Sequence, residues 1–582
     1  MEFGVWAPTA HEVQVVIETG DAQAYPMQRS GSPREGWWST EVADAAHGTR
    51  YAFRIDGGDP RPDPRSGWQP EGVHAASAVV DPSSFSWTDQ AWAGRDVRGA
   101  VFYELHIGTF SAEGTFAAAV EHLDHLVTLG VDVVEVLPVS AWDGPWNWGY
   151  DGVAPYAVQQ EYGGPEGFAA FVDAAHARGL AVALDCVYNH LGPSGNYLGE
   201  FGPYFTEKHD TPWGAAVNLD DTGAIEVRRW ICDNALRWLR DFHVDALRLD
   251  AVHALVDDSP THVLAQLADE VAALSLELGR PLSLVAESDL NDAVMVTATS
   301  EGGFGMRAQW DDDVHHALHA WLTGERQGYY ADFGEPEVVA TTLQEAFFHA
   351  ERFSSFRGEV WGKKVDREVV PGNAFLGYLQ THDQVGNRAE GDRIGHLLSP
   401  VRTAAGAALY LLGPFTPMIF MGEEWNASTK WQFFTSFPDP ELGAAVSKGR
   451  RSEFGEHGWS ADDVPDPQDP QTKQNSVLRW DEIGEAPHAR VLRWYRDLIA
   501  LRRTEPQLRD PDLSAVRVDV CANTLVVHRG DYRVVVALGD GADVAVDGDP
   551  REVVFAFGDV APELLPDGVR MSGESVVVVR VA

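Results

Sequence analysis

The sequence is poor in cysteine and in positive charge. Its three cysteines, Cys186, Cys232 and Cys521, lie far apart and form no CxxC pair, which argues against a disulfide framework and a cysteine zinc site. The 44 lysine and arginine residues, only six of them lysine, stand against 88 aspartate and glutamate residues, so the formal net charge is −44. Nucleic acids and anionic membranes are bound through clustered cations, so we expect neither as a partner.

The sequence also predicts neither a secretory leader nor a membrane span. No lysine or arginine precedes Arg29, so the N-terminus lacks the basic segment of a signal peptide. We therefore expect a cytoplasmic protein. Twenty uncharged residues run from Thr403 to Gly422, but Pro414 and Pro417 interrupt them. A buried helix followed by a buried strand fits this pattern better than a transmembrane helix.

The composition is that of a globular protein with several domains. The 582 residues are 44% hydrophobic and include 20 tryptophans, which is ample material for packed cores. Short alternating runs such as Val13–Ile17 and Arg50–Ile55 predict an N-terminal β-sandwich over residues 1–90. Similar runs, among them Thr524–His528, predict a C-terminal β-sandwich over residues 509–582.

Between these sandwiches, residues 91–508 alternate short apolar runs with helical patterns. This alternation predicts an α/β fold, a (β/α)8 TIM barrel with long loops and a short insertion after the third strand, at about 190–220. A doubly wound open sheet is the alternative, but no glycine-rich phosphate turn follows the first run. The eight predicted strands are Val101–Ile107, Val131–Leu137, Leu180–Val187, Val244–Leu249, Leu282–Ala286, Met306–Trp310, Phe375–Gln380 and Thr416–Met421.

Polar side chains follow four of these strands, where a barrel carries its active site. Arg248 and Asp250 are two residues apart on a strand and so face the same side; the guanidinium favours an ionised Asp250, suited to a nucleophile. Glu287 follows an apolar run, which favours a protonated general acid. Two carboxyl groups of opposite protonation preference are what glycosidic bond cleavage requires. Neither metal-ligand spacing nor a GxSxG motif occurs, so we expect no metal and no cofactor.

The four strand ends, residues 185–190, 248–253, 287–289 and 382–384, resemble the four motif regions of the α-amylase superfamily, glycoside hydrolase family thirteen, in the right order. The resemblance implies that Asp250 is the nucleophile, Glu287 the acid/base and Asp383 the stabiliser of the transition state. It also implies that Asp185 orients Arg248. Thr381 stands where the family often has asparagine. Further positions that the resemblance assigns to substrate binding are Asn189, His190, Arg248 and His382.

Finer tracts resemble one branch of the superfamily, the maltooligosyltrehalose trehalohydrolases. These tracts are residues 247–254, 286–292, 309–319 and 382–388. The resemblance implies retaining hydrolysis of the α-1,4 bond beside a terminal trehalose, functional pairing with the synthase that makes this end, and a carbohydrate-binding-module-like N-terminal sandwich. Tyr150 lies in a segment that resembles the stacking segment of the family. For His253, substrate contact and simple packing are equally supported.

Several alternatives stay open at this stage. A glucan branching or debranching enzyme shares the sandwich and the three carboxylates. A non-catalytic binding protein on the same barrel, or a transport-associated subunit, is a further possibility. Trp142, Trp146 and Trp148 are interpreted as loop packing, and the face carrying His315, His316 and His319 as structural or as part of a trehalose-end pocket.

Overall fold

Eight parallel strands form a closed barrel in the centre of the protein. We describe it from a computed structural model, covering residues 1–18, 22–31, 34–211, 214–456 and 464–582. Each predicted run contains its strand, so the closed barrel is confirmed and the open-sheet alternative is wrong. In chain order, which is also their order around the barrel, the strands are Phe102–Leu105, Val133–Val136, Ala181–Cys186, Ala246–Leu249, Ser283–Ala286, Ala308–Trp310, Phe375–Tyr378 and Thr416–Phe420.

The register of the barrel brings the polar strand ends to one rim. Asp185 pairs with Arg248 on the neighbouring strand, and Leu249 pairs with Ala286 on the next. Because the strands are parallel, the residues that follow them share the same end of the barrel. This geometry places Asp250, Glu287 and Asp383 on neighbouring loops of one face.

Helices surround the barrel, except between its fifth and sixth strands. Residues 287–307, all described, hold only the 3-10 turns Ala293–Met295 and Thr299–Glu301. The α-helices are Ile107–Phe110, Phe116–Val120, Leu123–Leu129, Gly164–His176, Leu198–Phe201, Ala224–Asp241, Val263–Leu278, Asp312–Thr323, Pro336–Glu345, His382–Gly386, Ile394–Leu397, Pro400–Leu411, Pro440–Glu456, Pro470–Asn475, Ala486–Thr504 and Pro506–Arg509.

The uncharged stretch at 403–422 is part of the barrel, as predicted. It supplies most of the helix Pro400–Leu411 and all of the eighth strand, Thr416–Phe420, and both are buried. Pro414 lies in the turn between them, where its ring does not interrupt a helix. Across the described ranges, none of the helices is both long and apolar enough to cross a bilayer.

Three antiparallel strand pairs lie in the loops on the active-site face. They are Ser140–Ala141 with Ala154–Val158, Phe205–Thr211 with Gly214–Val217, and Arg352–Ser354 with Glu359–Trp361. The second pair lies within the predicted insertion at 190–220. The third follows the sixth barrel strand and helps to form the cavity described below.

The N-terminal strands form two antiparallel sheets, of three and four strands. Their apolar faces bury Phe3, Val5, Val15 and Phe53 between them, so the predicted sandwich is confirmed. Trp6 packs edge-on against Tyr204 of the barrel loops at 5.4 Å. The strands are Glu2–Trp6, Val13–Ile17, Gln23–Pro26, Gln28–Arg29, Trp37–Glu41, Arg50–Ile55 and Ser77–Ala78.

The C-terminal strands also form two sheets, of five and three strands, around a valine-rich core. Arg402 of the barrel forms an ion pair with Glu574 at this junction. The domain boundaries at residues 90 and 508 stay predictions. The strands are Arg517–Cys521, Thr524–Arg529, Tyr532–Ala537, Ala542–Ala545, Pro550–Gly558, Glu563–Leu565, Gly568–Met571 and Ser575–Val581.

Candidate active site

A single buried guanidinium, that of Arg248, joins three carboxyl groups at the centre of the rim. Its Nη1 donates to Asp185 Oδ2 at 2.8 Å and to Asp250 Oδ1 at 2.7 Å. Its Nη2 lies 2.8 Å from Glu287 Oε2. Arg248 is fully buried; burial opposes its charge, but Asp185 and Glu287 outweigh it and raise the pKa of Arg248. Arg248 is therefore a fixed cation that holds Asp250 and Glu287 close to each other.

Glu287 is set up to be protonated at neutral pH. Burial raises the pKa of its carboxyl group to about 8; Arg248 opposes this shift, while Asp250 and Asp383 add to it. The backbone N–H of Ala251 donates to Glu287 Oε2 at 2.8 Å. Ala251 adopts the left-handed conformation, with φ of 39°, which is unfavourable for a residue with a Cβ. The strained turn after Asp250 thus points an N–H at the neighbouring carboxyl group.

His382 is fixed by a residue of the first barrel strand, Glu104. The Nδ1 of His382 lies 2.6 Å from Glu104 Oε1, and the backbone N–H of His382 donates to Glu104 Oε2 at 2.9 Å. Burial lowers the pKa of His382, but Glu104 and Asp383 outweigh it and raise that pKa to about 9. His382 is therefore an imidazolium at neutral pH, with Nε2 3.8 Å from Asp383 Oδ1.

Tyr150 lies between His382 and the group formed by Arg248 and its carboxylate partners. Its ring stacks on His382 with centroids 5.1 Å apart, and its hydroxyl donates to Asp185 Oδ2 at 2.6 Å. His190 lies beside it, with Nε2 2.9 Å from the carbonyl oxygen of Tyr150. The structure therefore places Tyr150 and His190 beside Arg248 and its carboxyl groups, and their predicted role in substrate binding stays a prediction.

Asp383 is the most exposed of the three predicted catalytic carboxylates, with 41% of its side chain accessible. Asn387, one helical turn further, donates to Asp383 Oδ1 at 3.0 Å. Thr381 begins this helix: its hydroxyl accepts from the backbone N–H of Asp383, and its backbone N–H donates to Gln384. Threonine therefore supplies a helix cap where the superfamily often has asparagine.

Two predicted residues and one unpredicted residue lie further from the centre. Asn189 is buried, and its side-chain amide makes no hydrogen bond with the described residues. His253 is half-buried, with Nδ1 3.7 Å from Asp289 Oδ1. Glu135 lies inside the barrel, where burial and then Glu104 raise its pKa well above the ordinary range. The barrel interior beneath the site is therefore unusually polar.

A cavity of about 220 Å³ borders Asp383 and opens onto the site. Its wall combines carboxylates with aromatic rings, including Asp289, Asp312, Tyr329, Phe356, Arg357 and Trp361. Arg357 Nη2 lies 3.0 Å from Asp289 Oδ2, and Trp361 donates to the carbonyl oxygen of Asp289. These contacts anchor the third strand pair to the loop after the fifth barrel strand.

The three histidines of one helix face differ in role, and Trp148 packs within the loops. His316 lines the cavity, whereas His315 contacts the carbonyl oxygen of Leu379 and His319 contacts Glu325. Trp148 stacks on Trp431 at 4.4 Å. From the sequence, the face is interpreted as structural or as part of a trehalose-end pocket. His315 and His319 make packing contacts and His316 lines a cavity, while a role in trehalose binding stays a prediction.

Comparison with known proteins identifies the family. Residues 79–210 match the model of the alpha amylase catalytic domain, and residues 1–82 match carbohydrate-binding module 48, the isoamylase N-terminal domain. A malto-oligosyltrehalose trehalohydrolase of Mycobacterium tuberculosis is 49% identical over 589 residues, covering 100% of this chain and 99% of the relative. The chain belongs to the malto-oligosyltrehalose trehalohydrolase family.

Two further proteins that resemble this trehalohydrolase-family chain are less similar to it than the Mycobacterium enzyme. A Salmonella typhimurium protein described as an alpha amylase has a crystal structure that matches with a TM-score of 0.90 and 37% identity, over 100% of this chain and 97% of that one. A 1,4-alpha-glucan branching enzyme of Corynebacterium jeikeium is 27% identical over 74% of this chain and 61% of its own. The branching-enzyme alternative is therefore the more distant one.

Sequence reasoning missed Glu104 and most of the cavity of this family member. A signal for Glu104 was present, because it is a charged residue inside the first apolar strand run, where burial demands a partner. No such signal existed for Arg357, which meets Asp289 across 68 residues of chain. Asn387 lies within the tract 382–388, but the sequence pattern gave it no functional role.

Proposed function

We propose that the enzyme hydrolyses the α-1,4-glucosidic bond next to the terminal trehalose of maltooligosyltrehalose, releasing trehalose and a maltooligosaccharide with retention of anomeric configuration. The observation that carries the mechanism is the pairing of Asp250 and Glu287 on one guanidinium. A retaining mechanism requires two carboxyl groups close together, one ionised and one protonated. Family membership supports the trehalose-releasing reaction.

In this mechanism Glu287 donates its proton to the glycosidic oxygen while Asp250 attacks the anomeric carbon. The bond to the leaving trehalose breaks, and a covalent glucosyl ester forms on Asp250. Glu287, now ionised, takes a proton from water as the water attacks the ester, which restores both carboxyl groups. The raised pKa of Glu287 supports its role as the acid.

The remaining site residues bind and position the sugar at the cleavage point. His382, held as a cation by Glu104, donates to a ring hydroxyl, and Asp383 stabilises positive charge as it develops on the ring. Tyr150 offers an aromatic face on which the sugar stacks, while Arg248 orients both reacting carboxyl groups. We assign further substrate contacts to Asn189, His190 and His253.

The cavity beside Asp383 is the proposed site of the trehalose end. A terminal disaccharide fits a bounded cavity, whereas an unmodified chain would extend beyond it. Tyr329 and Phe356 supply apolar faces for sugar rings, and Asp289 and Asp312 supply acceptors for hydroxyl groups. This arrangement supports selection for the trehalose-bearing end of the substrate.

A reaction that converts the reducing end of a maltooligosaccharide into trehalose must supply this substrate. We propose that a maltooligosyltrehalose synthase does so and that both enzymes work in the cytoplasm. The cysteines support this location, because Cys186, Cys232 and Cys521 are all unpaired, as is usual in a reducing compartment.

The reaction is tested by product analysis with two substrates. Maltopentaosyl-trehalose should yield trehalose and maltopentaose, and maltohexaose should be cleaved far more slowly. Proton NMR at early times should detect the α-anomer of maltopentaose. Absence of trehalose, release of the β-anomer, or branch formation from maltohexaose would contradict the proposal.

Two isosteric variants are the matched controls for this assay. Asp250→Asn and Glu287→Gln each retain the size of the side chain but remove the nucleophile or the acid. We expect each to lose at least about a hundredfold in kcat, because removing an acid/base alone costs about 10²–10⁴-fold. Near wild-type turnover in Asp250→Asn would overturn its assignment as the nucleophile.

A further inference from the structure

A second cavity, of about 420 Å³, lies at the opposite end of the barrel. Ala100 and Val101, which precede the first barrel strand, and Asp132, which precedes the second, form part of its wall. The end of the helix Ala486–Thr504 and the following residues complete it. The five arginines in its lining are Arg95, Arg98, Arg502, Arg503 and Arg509.

The lining of this cavity carries a net positive charge, whereas the whole protein carries a net negative charge. The chain has twice as many acidic as basic residues, but the lining has five arginines against Asp96 and Asp132. Asp132 is shared by Arg95, at 3.0 Å, and Arg503, at 2.6 Å.

The other lining carboxylate, Asp96, is engaged outside the cavity, where it binds Arg307. Within the described part of the chain, no carboxylate oxygen lies within 4.0 Å of a side-chain nitrogen of Arg98, Arg502 or Arg509. In this part of the structure, three of the five arginines therefore form no ion pair with a carboxylate, although Asp96 and Asp132 act on Arg98 and Arg502 from a greater distance.

Backbone carbonyl groups hold two of these arginines without neutralising them. Arg98 donates to the carbonyl oxygen of Arg307 at 2.6 Å, and Arg502 donates to that of Phe415 at 2.7 Å. Burial lowers the pKa of Arg98 to about 10 and that of Arg502 to about 9; neighbouring guanidinium groups add to this shift, and Asp96 and Asp132 only partly oppose it. The cluster therefore carries excess positive charge that an anion would relieve.

We propose that this cavity binds the phosphoryl group of a small metabolite. Guanidinium groups match the oxygens of phosphate in geometry and charge, and the cavity has space for an organic part beside the phosphoryl group. The ligand would not compete with the substrate, because the active site lies at the opposite end of the barrel. The carboxylates of the active site would also repel an anion and so keep it from binding there. A phosphate ester and free phosphate share this chemistry, and the experiment distinguishes them.

Isothermal titration calorimetry of the full chain at constant ionic strength tests the proposal with three probes. Glucose 6-phosphate and inorganic phosphate should bind, and glucose should not. Tighter binding of glucose 6-phosphate indicates a metabolite ligand, whereas tighter binding of inorganic phosphate overturns the assignment of an organic part. No binding of either phosphate at millimolar concentration overturns the proposal.

Two variants and a control locate the binding. Arg509→Gln and Arg98→Gln should each weaken glucose 6-phosphate binding about tenfold, because each removes a charged donor. Arg509 is exposed, so that variant should fold normally, which thermal unfolding checks. Arg493→Gln changes an exposed arginine on the helix Ala486–Thr504 outside the cavity and should bind like the wild type. Undiminished binding by both cavity variants overturns the assignment of the site.

Discussion

The replacement of Glu104 by glutamine tests how the active site keeps His382 charged. Glutamine retains the shape of the side chain, and its carbonyl oxygen still accepts from the backbone N–H of His382. Its amide group cannot accept from the Nδ1–H of the imidazolium, so the contact now at 2.6 Å is lost. Burial then acts on His382 with less opposition, and we expect its pKa to fall.

The size of the effect follows from the pKa of His382. Against the effect of burial, folding raises this pKa from an ordinary value near 6.5 to about 9, with Glu104 as the largest favourable contributor and Asp383 as the next. Each pH unit corresponds to 1.36 kcal/mol, so the charge on His382 contributes about 3 kcal/mol to stability through these two carboxylates together. Because the pKa is raised on folding, this contribution is complete below pH 6.5 and is lost as the pH approaches 9. Glu104→Gln should therefore be most destabilised at low pH.

Urea unfolding of the wild type and Glu104→Gln at several pH values measures this difference. The difference in free energy of unfolding should shrink by up to about 3 kcal/mol between pH 6.5 and 9. His382→Gln is the control background, in which the second substitution should add no pH dependence over this range. If the wild type and Glu104→Gln differed by the same free energy of unfolding at every pH, Glu104 would not be the residue that keeps His382 charged.

Three further predictions concern Arg248 and the side chains around it in the active site. Tyr150→Phe keeps the stacked ring but loses the hydrogen bond to Asp185, so its kcat/KM for maltopentaosyl-trehalose should fall less than that of Tyr150→Ala; equal losses would contradict a stacking role. Arg248→Lys keeps the charge but not the fork that reaches Asp185, Asp250 and Glu287, so kcat should fall at least about tenfold, and a wild-type kcat would exclude this orienting role. Asp250→Asn should lower the pKa of Glu287, measured by infrared difference titration against the double variant with Glu287→Gln; an unchanged midpoint would mean that Asp250 does not act on Glu287.

The fold could be predicted because each barrel strand is a short apolar run with its own boundaries. The run Leu282–Ala286 and the strand Ser283–Ala286 differ by one residue, since burial on both faces selects apolar residues throughout. The course of the chain from the fifth to the sixth strand was not predictable, because 3-10 turns have no periodic pattern of their own. Their positions depend on packing against the neighbouring helix.

Only those site residues that directly follow a barrel strand could be predicted from the sequence. Asp250, Glu287 and Asp383 follow their strands directly, so topology alone gathers them on one rim. The cavity instead depends on contacts between loops distant in sequence, such as Arg357 with Asp289. His316 and its neighbour His315 look alike in the sequence, yet only His316 reaches the cavity.

The protonation of Glu287 reflects the charge balance of the site as well as its burial. Two cations, Arg248 and His382, interact with six carboxyl groups, those of Glu104, Glu135, Asp185, Asp250, Glu287 and Asp383. Not all six can be ionised in a buried site, and the pKa of Glu287 and that of Glu135 are accordingly raised.

The same balance explains how Glu287 can change roles during the proposed reaction. The charge of Asp250 contributes to the raised pKa of Glu287. When Asp250 forms the glucosyl ester it loses that charge, and the pKa of Glu287 falls without any movement of the protein. In the proposed reaction, Glu287 would thus be an acid while Asp250 is free and a base once Asp250 is bound to the sugar, which is the sequence of roles that retaining hydrolysis demands.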